Sequence, residues 1–337
     1  MKTTKDQASA VIYGLACGDA LGWPTEFMKR SSIEGRFGER GITDLRQTKG
    51  EYTDDTQMTI ALAEGLLDAM DVLLKTGDAV KMADPMVVMP YVARRFVAWS
   101  ISPENDRAPG TSCMGGCRNL QYGRHWTKSG VSEAQGCGSV MRVAPVGLVY
   151  SDAETIRRIG EATATSTHDS EVARRSAHLG ALAVRLALDG LSAAEILARL
   201  IETLTPIATP ETAKLMDLLA AIPDLVKATM VGAMSTWVVM DYGVLGQSWK
   251  ADEALASALY CVLLAETRGE GYRETVCYGA NTDGDSDSIA CIAGGIAGAM
   301  WGIGGRGVPT AWVEMIENRA KLGLLAESLA SLSEATG

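Results

Sequence analysis

Thr53-Asp54-Asp55-Thr56-Gln57-Met58-Thr59-Ile60-Ala61-Leu62-Ala63-Glu64-Gly65-Leu66-Leu67-Asp68-Ala69-Met70 carries two messages at once. Met58, Leu62, Leu66, Met70 and Leu74 recur every fourth residue, and Leu67 and Leu73 widen the stripe. That spacing predicts an amphipathic helix with one buried face. The residues that open it say something else. Thr53 suits a helix N-cap, with Asp54 and Asp55 in the first turn, where the helix dipole favours carboxylates. Gln57 falls near the position that closes a capping box. Alone, the run reads as a cap.

A second acidic run changes the balance. Asp283-Gly284-Asp285-Ser286-Asp287-Ser288 runs straight into Ile289-Ala290-Cys291-Ile292-Ala293-Gly294-Gly295, which predicts a fully buried helix. Alternating carboxylates at the mouth of a buried helix need a counter-charge. Clustered Asp beside Thr or Ser offers hard oxygen donors without nitrogen or sulfur, the ligand chemistry of Mg²⁺, Mn²⁺ or Ca²⁺. Asp54, Asp55, Asp285 and Asp287 together carry four negative charges, which two divalent cations would neutralise, with Thr53, Thr56 and Ser288 as neutral oxygens. An EF-hand loop does not fit, because the twelfth position counted from Asp283 is Gly294 instead of Glu.

Two further segments carry signals. Small residues at Gly14, Ala16, Gly18, Ala20 and Gly22 predict a helix in close contact with another, ended by a turn at Pro24. Glu26 then lies just past the helix end, where the dipole disfavours a carboxylate, and an ordinary surface glutamate is an equal reading. Gly136-Cys137-Gly138-Ser139 predicts backbone in close approach to a ligand. His168 reads equally as a capping or core histidine and as a ligand contact.

The rest of the chain predicts an all-α protein, a compact single domain over residues 1–337. Helical patterns cover residues 172–188, 193–204, 212–219 and 253–264, and two short helices fit residues 312–332. Residues 35–50, 102–116 and 121–139 read as loops, and a helix cap is expected at Ser151. Hydrophobic residues make up 47% of 337, enough for a large core, while aromatics are only 6% and Gly numbers 36. A net charge of −10 without a basic block argues against binding a nucleic-acid backbone. The seven cysteines are odd in number and form no C-x-x-C pair, which supports neither a disulfide framework nor a zinc knuckle; Cys113 and Cys117 form an i,i+4 pair with no second pair facing it. No signal peptide is visible and residues 289–305 are too short for a membrane span. A monomer in the reducing cytoplasm is expected.

Five motifs in order give the chain a family likeness: Gly18-Asp19-Ala20-Leu21-Gly22 with Glu26; Tyr52-Thr53-Asp54-Asp55-Thr56-Gln57-Met58; Gly138-Ser139-Val140-Met141-Arg142-Val143-Ala144-Pro145; Thr167-His168; and Gly284-Asp285-Ser286-Asp287-Ser288-Ile289-Ala290. Together they resemble the ADP-ribosylglycohydrolase family, including its dinitrogenase-reductase-activating and ADP-ribosylarginine-hydrolase-like members. The resemblance implies an all-α orthogonal helical bundle with a binuclear Mg²⁺ or Mn²⁺ cleft, and hydrolysis of the glycosidic bond between ADP-ribose and an acceptor, arginine on a protein first among them. It implies Thr53, Asp54, Asp55, Asp285, Asp287 and Ser288 as metal ligands. Glu26, Asp55 and Asp287 would handle the proton transfers. Asp19, Gly136, Cys137, Gly138, Ser139, Met141 and His168 would contact ADP-ribose, with glycine-loop N–H groups turned to the diphosphate. The partner is an ADP-ribosylated protein or a small ADP-ribosyl conjugate. The chain departs from the family pattern in four places. Ser286 and Ser288 replace Thr, Asp283 replaces Gly, Thr111 stands where some members carry Asp, and Cys137 stands where Asn is common. A catalytically weak ADP-ribose-binding protein, a metal-dependent phosphohydrolase, and a hydrolase of serine, O-acetyl-ADP-ribose or nucleobase linkages are the rival readings.

Overall fold

Gly14, Gly18 and Gly22 recur every fourth residue on one face of the first helix, α1 (Lys5–Gly22), and their lack of side chains sets the central contact of the fold. In the computed structural model, which describes residues 2–232 and 245–336, α1 packs most extensively against the helix formed by Ser286–Trp301. A Cβ on Gly18 would stand 2.1 Å from the Ala290 carbonyl oxygen, and one on Gly14 2.4 Å from that of Gly294. On Gly22 it would stand 2.5 Å from the Cα of Asp287. The second helix reciprocates with Gly294 and Gly298, whose added Cβ atoms would meet the carbonyls of Gly14 and Ala10. Two backbones approach this closely only where neither carries a Cβ at the crossing. The expected small-residue contact is therefore present.

Among the described residues fifteen α-helices account for nearly all regular structure. After α1 come α2 (Arg30–Phe37), α3 (Asp54–Lys75), α4 (Pro85–Ser100), α5 (Thr111–Gln121), α6 (Ala144–Val149), α7 (Ala153–Thr165) and α8 (Glu171–Leu188). They are followed by α9 (Ala193–Leu204), α10 (Ala213–Val231), α11 (Ala251–Thr267), α12 (Tyr272–Ala280), α13 (Ser286–Trp301), α14 (Thr310–Met315) and α15 (Arg319–Thr336). The fold is all-α, as expected. Its strands are β1 (Val131–Ser132) and β2 (His168–Asp169), a parallel pair two residues long with Val131 opposite His168. α3 packs on α4, α7 on α8, and α11 and α12 close over α13. No described helix is long and apolar enough to cross a membrane.

Several local expectations need correction. The cap after the apolar 146–150 stretch is Asp152, whose carboxylate accepts from the Thr155 N–H, and not Ser151. The loop predicted over 102–116 stops at Gly110, because Thr111–Gln121 is helical and buries Cys113 and Cys117 on one face. Gln57 closes no capping box; its amide donates to the Glu104 carbonyl and accepts from the Trp99 indole. Leu74 leaves the buried stripe of α3 and is exposed, whereas Leu73 is buried. The helix expected over 212–219 continues to Val231, through Pro223.

Candidate functional site: a carboxylate-lined cleft

The N-termini of α3 and α13 open into one cavity of about 680 Å³. Glu26, Asp54, Asp55, Asp285, Asp287 and Ser288 line it, together with Gly136, Cys137, Gly138, Met141 and His168. The two acidic runs, remote in sequence, thus meet. Thr53, Asp19 and Ser139 are fully buried and do not line the cavity.

Asp19 shows how the first run is held. Its carboxylate accepts from the Thr53 N–H (3.0 Å) and hydroxyl (2.9 Å), and from the Thr56 N–H (3.0 Å) and hydroxyl (2.5 Å). The role expected for it was substrate contact; in the structure it fastens the first turn of α3 from behind. Burial pushes its pKa up to about 6, against the lowering effect of those four donors. Thr53 is the N-cap, as its sequence position suggested, its hydroxyl accepting from the Asp55 N–H at 3.4 Å.

The carboxylates that face the cavity are under electrostatic pressure. Burial raises Asp54 to about 8 and Glu26 to about 7, with neighbouring carboxylates adding to the rise. Asp55, Asp285 and Asp287 are shifted upward as well, burial being the leading cause in each. Glu26 is thus no ordinary surface residue; it follows the Trp23–Thr25 turn directly into the cavity. The Asp54 carboxylate accepts from the Gly110 N–H at 3.2 Å, Asp285 takes the Cys137 thiol at 3.1 Å, and Asp287 takes the Ser288 N–H at 3.0 Å. Asp55 Oδ1 is buried with no hydrogen-bond partner at all. Leaving a buried carboxylate oxygen unpaired is costly unless a cation meets it. The all-oxygen donor set suits a hard divalent ion. Among the described residues, however, no three His, Cys, Asp or Glu side chains are gathered into a ready-made ion cage.

The wall that adjoins the second acidic run is glycine and histidine. A Cβ on Gly136 would stand 3.1 Å from His168 Nε2, and one on Gly138 2.4 Å from Cys113 Sγ, so this strip presents backbone where side chains have no room. His168 is oriented by a residue to which the sequence motifs assigned no role. Arg142, fully buried, donates to Thr167 Oγ1 (2.6 Å) and to the Thr163 carbonyl (2.8 Å), and its guanidinium stacks on Phe96. The Thr167 hydroxyl, which accepts from Arg142, is also hydrogen-bonded to His168 Nδ1 at 2.8 Å. The other ring nitrogen, Nε2, lies beside Gly136. Burial, then the Arg142 charge, lowers the His168 pKa to about 3, so the ring stays neutral. Sequence reading also missed Phe27, Trp249 and Lys250, which line the cavity from segments without any acidic or glycine-rich pattern.

Fold and site define an all-α protein with a carboxylate-walled cleft faced by a glycine strip. The ADP-ribosylglycohydrolase family pattern matches residues 1–337, and the chain belongs to that family. It is 31% identical to an uncharacterised protein of Archaeoglobus fulgidus, over 95% of both chains. It is 30% identical to the mouse protein named ADP-ribosylhydrolase ARH3, covering 82% of this chain and 76% of the other. It is 26% identical to the Pseudomonas putida protein named ADP-ribosylarginine hydrolase Tri1, covering 96% and 78%. A solved structure titled ADP-ribosylglycohydrolase-related protein complex superimposes with a TM-score of 0.71 at 25% identity, over 98% of both chains.

Proposed function

We propose that this protein hydrolyses the glycosidic bond between ADP-ribose and an acceptor, arginine-linked protein substrates first, using two Mg²⁺ or Mn²⁺ ions. Asp54, Asp55, Asp285, Asp287 and Ser288 would hold the ions from the cavity wall, with Thr53 behind them as the N-cap of α3. One observation carries the reading: of the six carboxylates that line one cavity, five from three remote segments are pushed toward the neutral form, with an Asp55 oxygen buried and unpartnered. Divalent cations bound there supply Lewis acidity and make water more acidic. The preference for arginine is supported by the name of the Pseudomonas putida relative, which matches nearly all of this chain.

The protein's own groups perform the remaining work. Gly136 and Gly138 line the cavity with backbone, against which the diphosphate would lie, and the neutral His168 ring stands beside them. Fixing the sugar this way lowers the entropic cost of water attack at the anomeric carbon. Water oxygen bonds to that carbon as the carbon–nitrogen bond to the acceptor breaks. Water gives up one proton to a carboxylate, and the departing guanidine nitrogen gains one. Glu26, with a pKa near 7, is suited to exchange protons at neutral pH, and Asp55 and Asp287 are the other candidates.

The test is product analysis by mass spectrometry after incubation with an ADP-ribosylated arginine peptide and Mg²⁺ or Mn²⁺. Intact ADP-ribose and free peptide are expected. AMP would indicate a phosphohydrolase, and binding of ADP-ribose without release would indicate a binding protein. Glu26→Ala and Asp287→Ala are expected to abolish release.

A further inference from the structure

Phe27 is held where folding alone would not put it. Five residues other than glycine have left-handed backbone among the described residues. Three of them, Phe27 (φ 50°), Ala108 (φ 50°) and Glu133 (φ 57°), line the acidic cavity, and a fourth, Ser248 (φ 66°), precedes Trp249, which also lines it. The left-handed region is disfavoured for any residue with a Cβ, and a bulky aromatic there is a genuine outlier. Strain of this kind clusters where function requires it. The Phe27 side chain does not repay it by packing, since the residue is 50% exposed and outside the core.

The backbone around Phe27 ties it to the second acidic run. Its N–H donates to the Gly284 carbonyl at 2.8 Å. The next residue, Asp285, accepts the Cys137 thiol. Phe27 therefore reaches Asp285 through Gly284, and the 136–138 strip reaches it through Cys137. With ADP-ribose along the glycine strip and the bond to be broken at the carboxylates, the acceptor leaves past Glu26, whose chain neighbour is Phe27. Trp249 is the other half-exposed aromatic of the cavity, but Lys250 Nζ already sits 5.2 Å from its ring centroid and repels a second cation. Among the described residues no cation occupies the face of Phe27.

We propose that the Phe27 ring is the acceptor-recognition face, on which the guanidinium of an arginine-linked substrate stacks. A guanidinium is planar and weakly hydrated, which suits it to an aromatic face, and the carboxylates beside the ring add attraction for a cation. The inference rests on the hydrolase reading above and adds the residue that selects the leaving group.

Phe27→Gly separates this role from a structural one, because it removes the ring and relieves the left-handed backbone together. Its melting temperature is expected to stay level or rise. Its affinity for free ADP-ribose, measured by calorimetry with Mg²⁺ or Mn²⁺ present, is expected to stay unchanged. Its kcat/KM on an ADP-ribosylated arginine peptide is expected to fall about threefold to tenfold, the range of a partly exposed cation–π contact. Phe27→Asn, which also tolerates left-handed backbone, and Phe27→Leu, which keeps bulk without a π-face, are expected to match that loss, while Phe27→Trp retains activity. Unchanged kcat/KM in Phe27→Gly would overturn the proposal. So would a fall in melting temperature and ADP-ribose affinity parallel to kcat/KM, which marks a structural residue. A wild-type protein that neither binds ADP-ribose nor releases it would overturn the hydrolase reading itself, before any variant is compared.

Discussion

The acidic runs at 53–56 and 285–288 resemble each other in sequence and differ in what stands behind them. The first is fastened by a side chain: Asp19 receives four hydrogen bonds from Thr53 and Thr56. The second has no side-chain cap at Asp285 and is placed by backbone. The Asp285 N–H donates to the Gln247 carbonyl at 2.9 Å, and the Ser286 hydroxyl donates to the Gly22 carbonyl at 2.9 Å. Gly22 admits the Asp287 backbone where a Cβ would collide. Asp19 and Gly22 lie one turn apart at the end of α1, so one rigid element serves both runs by different means. A self-repelling set of carboxylates is thus assembled by neutral donors and a close backbone contact. Among the described residues Lys250 is the one basic side chain that lines the cavity, too little to balance the carboxylates, which leaves negative charge available to an incoming cation.

The contrast can be broken hardest at its centre. Asp55→Ala and Asp287→Ala are each expected to lower kcat by about a thousandfold, the scale of losing a main electrostatic group at a reacting centre. In the presence of a chelator both are expected to melt higher than the wild type, since each removes a buried carboxylate that its neighbours repel. Lower melting of both variants would show that these carboxylates stabilise the fold.

Next in size is the fastening itself. Asp19→Ala strands two buried N–H groups and two hydroxyls, and is expected to cost about 3–5 kcal/mol of stability. Gly22→Ala pushes against backbone at Asp287 and is expected to cost about 1–3 kcal/mol. Denaturant melts decide the order. Equal losses would mean that the two runs are supported alike.

The smallest expected effect is a pH dependence. Asp19, Glu26 and Asp54 have folded pKa values raised to about 6, 7 and 8, above the ordinary carboxylate range. Their contribution is fully present at low pH and is lost as pH rises through those values. His168 and His178 are lowered by burial to about 3 and 4, so their contribution is present above about 6.5, the ordinary histidine value, and lost as pH falls. Between the ordinary carboxylate and histidine values the two trends oppose. Above that range the carboxylates act first, the buried thiols, all raised by burial, adding in the same direction as pH nears the ordinary cysteine value, and chelated protein is expected to melt lower at pH 8.0 than at pH 6.5, with Mn²⁺ narrowing the gap. A flat profile in chelator would remove the electrostatic pressure inferred for the cleft.

Much of the fold was legible because it is local. The four-residue stripe after Met58 became α3, the small residues from Gly14 to Gly22 became the contact with α13, and Thr53 became the N-cap it resembled. Some errors were local, such as the cap at Asp152 three residues before its partner Thr155, but those at the site fell where partners are distant. Gln57 looked like a capping-box residue, yet its amide is taken by Trp99 and Glu104. Glu26 carried no more signal than a surface residue, because its burial comes from segments far along the chain. Arg142 sat inside a quoted motif, but only the fold brings it against Thr167, the residue that holds His168 Nδ1.

By itself the sequence determined the residue types: hard oxygen donors in two runs, glycines at one helix face, and apolar periods that make helices. Those are properties of a residue and its near neighbours, set by side-chain chemistry and the 3.6-residue turn. Only the tertiary structure decided that the two runs share a cavity, that Asp19 faces inward as their fastening, and that Phe27 stands at the rim with its ring exposed. Such facts depend on which distant backbones pack together, and here that packing is governed by a contact so close that a single added methyl group would disturb it.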